Sequence, residues 1–276
     1  MKNQLLYNTN GFAFHRLEDA ARILAGLGYD GVAVTPDVHH LDPYRTRPAD
    51  VLGVRRLLDD LGLCVVVETG ARFVLDPERK HRPSLLDAAP EAARRLDFLR
   101  RCVDLAAGLG ARVVSTWSGS APEGLDPEAV LDRLADGLRR VCEHAHERGI
   151  RVGFEPEPGM AVETVEGWLA VKDAVGHPAL GLTLDVGHCL ATREGDPARI
   201  LRRHAGDLVV VQLDDHRAGR HEHLQFGEGE VHWPDVVAAV RESGYAGPLE
   251  VELSRHAAEA PTAAHRARDF LRAAFG

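Results

Sequence analysis

The chain has 276 residues, of which 45% are hydrophobic and 27% are charged, and this composition excludes a disordered protein. Its 42 acidic side chains outnumber its 33 basic ones, giving a net charge of −9, which argues against a nucleic-acid partner because such proteins need a basic surface. The sequence contains no run of about 18 apolar residues and no leader-like apolar segment near its N-terminus, so it predicts neither a membrane span nor a secretory signal.

A repeated unit runs along the chain, in which an amphipathic helical pattern ends near a glycine and a short apolar run follows. Such apolar runs are typical of parallel strands buried on both faces, and a glycine supplies the left-handed residue that often ends a helix. Amphipathic helices are predicted at 17–27, 91–108 and 126–148. Together with the opening QLLYNTN, seven units predict eight strands, at about 3–8, 31–35, 63–68, 111–116, 150–155, 179–185, 207–213 and 248–253.

Eight strand–helix units without a Pro-rich or Ser-rich linker predict a single (β/α)₈ TIM barrel, with residues 1–276 as one domain. A doubly wound sheet is the competing fold. The sequence has no G-x-G-x-x-G after its first strand and no G-x-x-x-x-G-K-[ST], which argues against a dinucleotide or P-loop site. The long segment 71–90 after the third strand is typical of a lid loop.

The four cysteines favour a reducing, cytoplasmic location. They lie far apart in apolar or helical contexts and form no CxxC pair. This pattern indicates buried free thiols rather than a disulfide framework or a zinc knuckle.

Oxygen-bearing side chains end most of the predicted strands, at the edge of the barrel where such folds place their chemistry. The residues at or next to the ends of the eight strands are Asn8, Thr35, Glu68, Trp117, Glu155, Asp185, Gln212 and Glu252. Carboxylates that converge in a partly dry pocket repel one another, and a divalent cation relieves that repulsion. We therefore expect one metal ion held by Glu155, Asp185, Gln212 and Glu252. An all-oxygen set favours Mn²⁺ or Mg²⁺, with Co²⁺ as a substitute, over Zn²⁺. The alternative is that each acid pairs with an arginine or caps a helix.

Several side chains near these strand ends are candidates for substrate binding. His188 follows Asp185 by three residues and Arg217 follows Gln212 by five, where each could donate a hydrogen bond. Ordinary loop or helix-end roles are the alternative for all of them. His221 and His223 form an H-x-H in a predicted loop, for which a lid or hydrogen-bonding role is expected. The full set of candidates is His188, Arg217, Glu157, His39 and Trp117.

The motifs VGFEPEPG, LTLDVGH, VVVQLDD, FGEGEVHW and GPLEVEL occur in this order, mostly between residues 151 and 254. With them, nearly the whole chain resembles the xylose isomerase-like superfamily of (β/α)₈ barrels, the sugar phosphate isomerases and epimerases. In its ketose 3-epimerases the ligands matching Glu155, Asp185 and Glu252 are Glu, Asp and Glu, whereas the fourth is usually His. This chain has Gln212 at the fourth position and Arg217 soon after it, and in both respects it resembles the hydroxypyruvate isomerase branch.

The resemblance implies a divalent-metal-dependent isomerase or epimerase of a small sugar, keto-sugar or related polyhydroxy carbonyl compound. Glu155 and Glu252 would transfer a proton through a metal-bound enediolate, with His188 and Arg217 as hydrogen-bond donors. The sequence does not choose between epimerisation and aldose–ketose isomerisation. Members of the superfamily often form dimers or tetramers, so the resemblance allows a homo-oligomer.

Two other functions stay open. An endonuclease that cuts at abasic sites uses the same barrel with three zinc ions, but it needs histidines where this chain has Glu68, Trp117 and Gln212. The second alternative is a non-catalytic barrel that only binds a sugar.

Overall fold

Eight parallel strands close into a barrel in chain order, with the first strand paired to the last. A computed structural model describes residues 3–70 and 72–276 of the chain. The strands are β1 (Leu5–Asn8), β2 (Gly31–Val34), β3 (Cys64–Glu68), β4 (Val113–Trp117), β5 (Arg151–Glu155), β6 (Leu180–Asp185), β7 (Leu208–Leu213) and β8 (Leu249–Val251). The predicted (β/α)₈ TIM barrel is therefore confirmed, and the doubly wound sheet is not formed.

Helices cover the outside of the barrel. They are α1 (Leu17–Leu27), α2 (Pro48–Asp60), α3 (Glu91–Leu109), α4 (Pro127–His146), α5 (Val165–Val175), α6 (Val186–Ala191), α7 (Pro197–Arg203), α8 (Trp233–Glu242) and α9 (Ala260–Phe275). Asp126 caps α4 by accepting a hydrogen bond from the Glu128 N–H at 2.8 Å, and Gly110 ends α3 with a φ of 77°. Both signals agree with the local rules for helix ends. None of the described helices is long and apolar enough to cross a membrane.

The barrel interior changes from apolar to polar toward the carboxyl ends of the strands. Near those ends, the Ser115 hydroxyl of β4 donates to the Thr183 hydroxyl of β6 at 2.9 Å. Gly153 of β5 lies between these strands, and a Cβ there would come within 2.2 Å of Thr183 Oγ1. The floor of the interior is formed by Leu6, Ala33, Val66, Val113, Val209 and Val210. This apolar cluster forms a floor beneath the polar groups.

The larger core lies between the strands and the helices. It includes Trp168, Phe98 and Phe154, whose side chains are fully buried. All four cysteines of the chain are free thiols.

Candidate active site

The carboxyl ends of the strands open into a cavity of about 400 Å³. Carboxylates line its deeper part, among them Glu155 and Glu252, and Trp117 forms part of its wall. Lys80 and Arg255 bring positive charge to the same cavity. The mouth of the barrel is thus a polar cleft with charges of both signs.

Three of the four predicted metal ligands converge in the structure. Glu155 ends β5 and Asp185 ends β6, whereas Glu252 comes directly after β8, where its N–H donates to the Leu213 carbonyl. One carboxylate oxygen from each of these acids lies within 4.8 Å of the other two. Gln212 of β7 is in register with Asp185 on one side and with Glu250 on the other, so the four predicted ligands come from four neighbouring strands at the mouth of the barrel.

Several buried polar atoms of this group lack hydrogen-bond partners in the described part of the chain. Among the described residues, the buried Glu155 Oε1, the Asp185 Oδ2 and both amide atoms of Gln212 have no hydrogen-bond partner. Leaving such an atom unpaired costs about 1–3 kcal/mol. One oxygen from each of the three carboxylates lies within 4.8 Å of the other two, so a single ion with bonds of about 2.1 Å could contact all three after small side-chain movements. These residues therefore fit a divalent cation with oxygen ligands.

Burial dominates the electrostatics of the group. It raises the pKa of Glu155 and of Glu252 well above the usual range, and neighbouring carboxylates raise both pKa values further. Burial, and then the nearby Asp214, raise the pKa of Asp185 to about 7. Because like charges share this pocket, the charged form of each acid is disfavoured, and a cation placed between them would favour it again.

The substrate-binding candidates divide into two sets. Glu157 and Trp117 line the cavity, and His188, in the first turn of α6, has its Nδ1 3.5 Å from Glu155 Oε1. His39 and Arg217 are not among the described residues that line it. Within the described chain, the structure thus brings three of the five candidates to the site.

Local turns explain why the other two lie elsewhere. Asp37 and His40 exchange backbone hydrogen bonds at 3.0 Å, which places His39 at the exposed tip of a tight turn. Arg217 forms a two-oxygen ion pair with Glu222 at 3.1 Å within its own loop. The distance of His39 or Arg217 from its strand end along the sequence does not predict either of these local contacts.

Residues 21–274 match the family described as the xylose isomerase-like TIM barrel. The chain belongs to this family. The predicted membership is thereby confirmed, together with its place in a superfamily that includes sugar isomerases and epimerases.

Other members of the xylose isomerase-like family resemble the chain to different extents. A 3-dehydroshikimate dehydratase of Pseudomonas putida is 31% identical over 267 residues, which are 93% of this chain and 39% of that protein. The chain therefore spans about two fifths of the length of this relative. The L-ribulose-5-phosphate 3-epimerase UlaE of Salmonella paratyphi C is 26% identical over 75% of this chain and 74% of its own length. A crystal structure of the D-allulose 3-epimerase of Methylomonas sp. superimposes with a TM-score of 0.80 at 18% identity, covering 99% of this chain and 98% of that one.

The long loop of this xylose isomerase-like barrel contributes to the mouth. Ala71, its first predicted residue, lies outside the described residues. Lys80 and His81 line the cavity, and His81 Nδ1 lies within hydrogen-bonding distance, 2.5 Å, of the Gly70 carbonyl. The His81 ring also meets the Trp117 ring edge-on at 5.2 Å. The loop thus covers one side of the site, and its function as a lid remains a prediction.

A second layer of carboxyl groups lies beneath the first, and its central member, Glu250, is not a strand-end residue that the sequence singles out. Glu250 is fully buried and accepts a hydrogen bond from Asn8 Nδ2 at 2.8 Å. Burial, and then the Glu252 carboxylate, raise the pKa of Glu250 to about 8. Burial and Glu250 likewise raise the pKa of Glu68. The alternation of side chains along a strand could have identified Glu250. It precedes Glu252 by two residues and therefore lies on the same face of the strand.

The raised pKa of Glu250 makes the stability of the metal-free protein depend on pH. In the unfolded chain this carboxyl loses its proton near 4.5, whereas in the folded protein it keeps the proton up to about 8. Between these values the folded state binds more protons, so the free energy of unfolding falls as pH rises from about 5 to about 8. Glu250→Gln is expected to reduce this slope, measured as urea midpoints across the range in the presence of a chelator.

The control is Glu143→Gln on the exposed side of α4, which should leave the slope unchanged. A Glu250→Gln protein with the full wild-type slope would contradict the assignment.

Proposed function

We propose that this chain catalyses the isomerisation or epimerisation of a small polyhydroxy carbonyl compound by moving a proton on the carbon next to the carbonyl. The observation that carries the proposal is the convergence of Glu155, Asp185 and Glu252 within 4.8 Å. On the intervening strand β7, the buried Gln212 amide has no hydrogen-bond partner among the described residues. An all-oxygen ligand set from four neighbouring strands suits a Mn²⁺ or Mg²⁺ ion. Such an ion, when bound, polarises the carbonyl and makes the adjacent C–H more acidic.

The chain's own residues supply the proton transfer. Glu155 and Glu252 lie at strands that are three positions apart in an eight-stranded ring, so they face a reacting carbon from different sides. One takes the proton and the other returns it, as general base and general acid. Asn10 Nδ2 donates to Glu252 Oε1 at 2.7 Å and fixes its position.

The cavity wall suggests what the substrate carries. Glu157 is placed to accept hydrogen bonds from substrate hydroxyls, and the Trp117 ring offers an apolar face. Lys80 and Arg255 at the same cavity favour a substrate with a carboxylate or a phosphate. His188 donates from Nδ1 to the Pro156 carbonyl at 3.2 Å, which orients its ring beside Glu155.

Exchange of substrate hydrogen with solvent deuterium tests the proposal. The Mn²⁺-loaded protein is incubated in D₂O with ketopentoses, ketohexoses, their phosphates, cyclitol ketones and short hydroxy-oxo acids, and ¹H NMR follows the carbon next to the carbonyl. Loss of that signal, with an epimer or an isomer as product, is the expected result. Metal binding without exchange on any of these compounds would instead favour the non-catalytic sugar-binding barrel. Cleavage of abasic-site DNA would favour the endonuclease.

Dehydration is a second candidate, favoured by the 31% identity to a 3-dehydroshikimate dehydratase over 93% of this chain. The first step is shared, because Glu155 removes the proton next to the carbonyl. A C=C bond then forms as the C–O bond on the following carbon breaks, and the departing hydroxide takes a proton from Glu252 to leave as water. Incubation with 3-dehydroshikimate separates the two reactions, since a product lighter by one water by mass spectrometry indicates dehydration.

A further inference from the structure

A buried arginine of α3 lies behind the wall of the cavity. Arg95 is 2% exposed, and it is not among the described residues that line the mouth. The preceding residue, Arg94, pairs with Glu91 at 2.7 Å, whereas no carboxylate in the described part of the chain forms such a pair with Arg95. Burying a cation without a counter-charge costs stability, so other contacts must hold this guanidinium in place.

Two aromatic rings and one carbonyl group contact the Arg95 guanidinium. Its Cζ lies 4.7 Å from the centre of the Trp117 ring and 5.1 Å from that of Phe98. Arg95 Nη2 donates to the carbonyl of Thr69, the residue that follows β3, at 3.0 Å. A cation within about 6 Å of an aromatic ring is attracted to the ring face, and more strongly where water is excluded. The charge of Arg95 therefore acts directly on Trp117, which ends β4 and lines the cavity.

The long loop after β3 packs against the same tryptophan. The His81 ring meets the Trp117 ring edge-on, with 5.2 Å between the ring centres. Beside them, Gly119 has a φ of 75°, and a Cβ there would come within 2.5 Å of Ser84 Cβ and 3.1 Å of Trp117 Cζ3. The turn after β4 thus needs glycine so that the loop can approach Trp117 closely.

Ion pairs in this part of the loop do not connect it to the barrel. Arg79 pairs with Asp76 at 2.7 Å, and Arg82 pairs with Asp87 at 3.2 Å. Both pairs join residues of the loop to each other, so they shape the loop without fixing it to a strand. The packing of His81 against the tryptophan ring therefore attaches this part of the loop to the end of β4.

We propose that Arg95 is a positioning residue for the mouth of the barrel. Its charge holds the Trp117 ring in one orientation from behind, and the fixed ring in turn holds His81 and its loop beside the cavity. Loss of the charge should loosen the cavity wall and the loop together, although Arg95 does not line the cavity. This role does not depend on which reaction the protein catalyses.

Amide hydrogen exchange of the segment 79–86 tests the link from Arg95 to the loop. It is followed by mass spectrometry on the full chain with Mg²⁺ present. The His81 N–H donates to the Arg72 carbonyl at 2.7 Å, so its exchange reports opening of the loop. Arg95→Gln should speed this exchange roughly tenfold, the change in an equilibrium constant that a buried cation–π contact can supply. Arg95→Lys should stay close to wild type, because Lys keeps the charge and a donor for the Thr69 carbonyl.

Nuclear Overhauser contacts between the ring protons of Trp117 and His81 show whether the two rings stay together. The chain has three tryptophans, and Trp117→Phe identifies the signals of Trp117. The contacts should be present in the wild type and in Arg95→Lys, and they should weaken or disappear in Arg95→Gln. The signals of the other two tryptophans should not change, which separates a local effect on the wall from a general loss of structure.

The matched control is Arg100→Gln, which changes an exposed arginine of the same helix and should behave like the wild type in both measurements. Wild-type exchange and ring contacts in Arg95→Gln would overturn the inference, because Gln can still donate to the Thr69 carbonyl and only the charge is lost. Equal perturbation in Arg95→Lys and Arg95→Gln would overturn it as well.

A second variant covers the case in which circular dichroism shows that Arg95→Gln does not fold. Trp117→Leu removes the ring between the arginine and the loop, and it should speed the exchange of the segment 79–86 to a similar extent. Unchanged exchange in Trp117→Leu would overturn the inference. Neither measurement involves a substrate, so failure of the proton-transfer proposal would leave both results unchanged.

Discussion

Glu155→Gln is expected to lower the rate of deuterium exchange at the substrate carbon by about 10²- to 10⁴-fold, the usual contribution of a general base. Gln has nearly the same size as Glu but cannot take a proton. Glu155 is buried at the end of β5, and its carboxylate lies within 4.8 Å of those of Asp185 and Glu252. The measurement is the initial exchange rate in D₂O by ¹H NMR, at metal concentrations that saturate both proteins.

The matched control for this prediction is Glu143→Gln on the exposed face of α4, which should exchange at the wild-type rate. Circular dichroism checks that both variants fold. An exchange rate within threefold of wild type for metal-saturated Glu155→Gln would remove Glu155 from the proton-transfer step.

Asp185→Asn should weaken Mn²⁺ binding at the oxygen-ligand site by at least about 100-fold, because changes that only touch the residues behind a ligand already cost ~10- to 100-fold. The fold should survive. Asp185 Oδ1 accepts from the Gly187 and His188 N–H groups at 2.7 and 3.0 Å, and the Asn amide oxygen can accept the same bonds. What disappears is the charge on Oδ2, which is buried without a partner in the described chain. Isothermal titration calorimetry with Mn²⁺ measures the change.

Asp196→Asn is a close control, since Asp196 caps α7 by accepting from the Ala198 N–H at 3.0 Å and is exposed to solvent. It should bind Mn²⁺ like the wild type. If Asp185→Asn binds Mn²⁺ normally but unfolds at much lower temperature, the acid cluster is a structural network and not a metal site.

Strand periodicity was enough to predict the barrel and the level at which its polar residues lie. Parallel strands in a closed ring end at a common edge, so a residue at the end of one strand has a fixed neighbour at the end of the next. This is why the sequence alone places Glu155, Asp185 and Gln212 at neighbouring strand ends. Glu252 follows the same logic, although β8 stops one residue before it.

Loop residues could not be placed in this way, because their direction depends on contacts far away in sequence. His216 contacts Asp214 and packs into a space that exists because residue 187 is glycine. The spacing of residues along the chain does not predict these contacts. His39 is turned outward by the short bridge between Asp37 and His40. Glu250 is not among the predicted residues for a different reason. Considering only the last residue of each strand leaves out the residues one layer further into the barrel.

The seam between β1 and β8 carries a consequence for local unfolding. The two strands are joined by Asn8 with Glu250 and by Asn10 with Glu252, contacts that each span 242 residues of sequence. Glu252 also belongs to the set that would bind a cation, together with Glu155 and Asp185 from the middle of the chain. Opening this seam therefore dismantles the site, and a ligand that binds only the closed form holds the seam shut. Amide hydrogens of the first and last strands should then exchange more slowly when the site is filled, although the ion touches neither backbone.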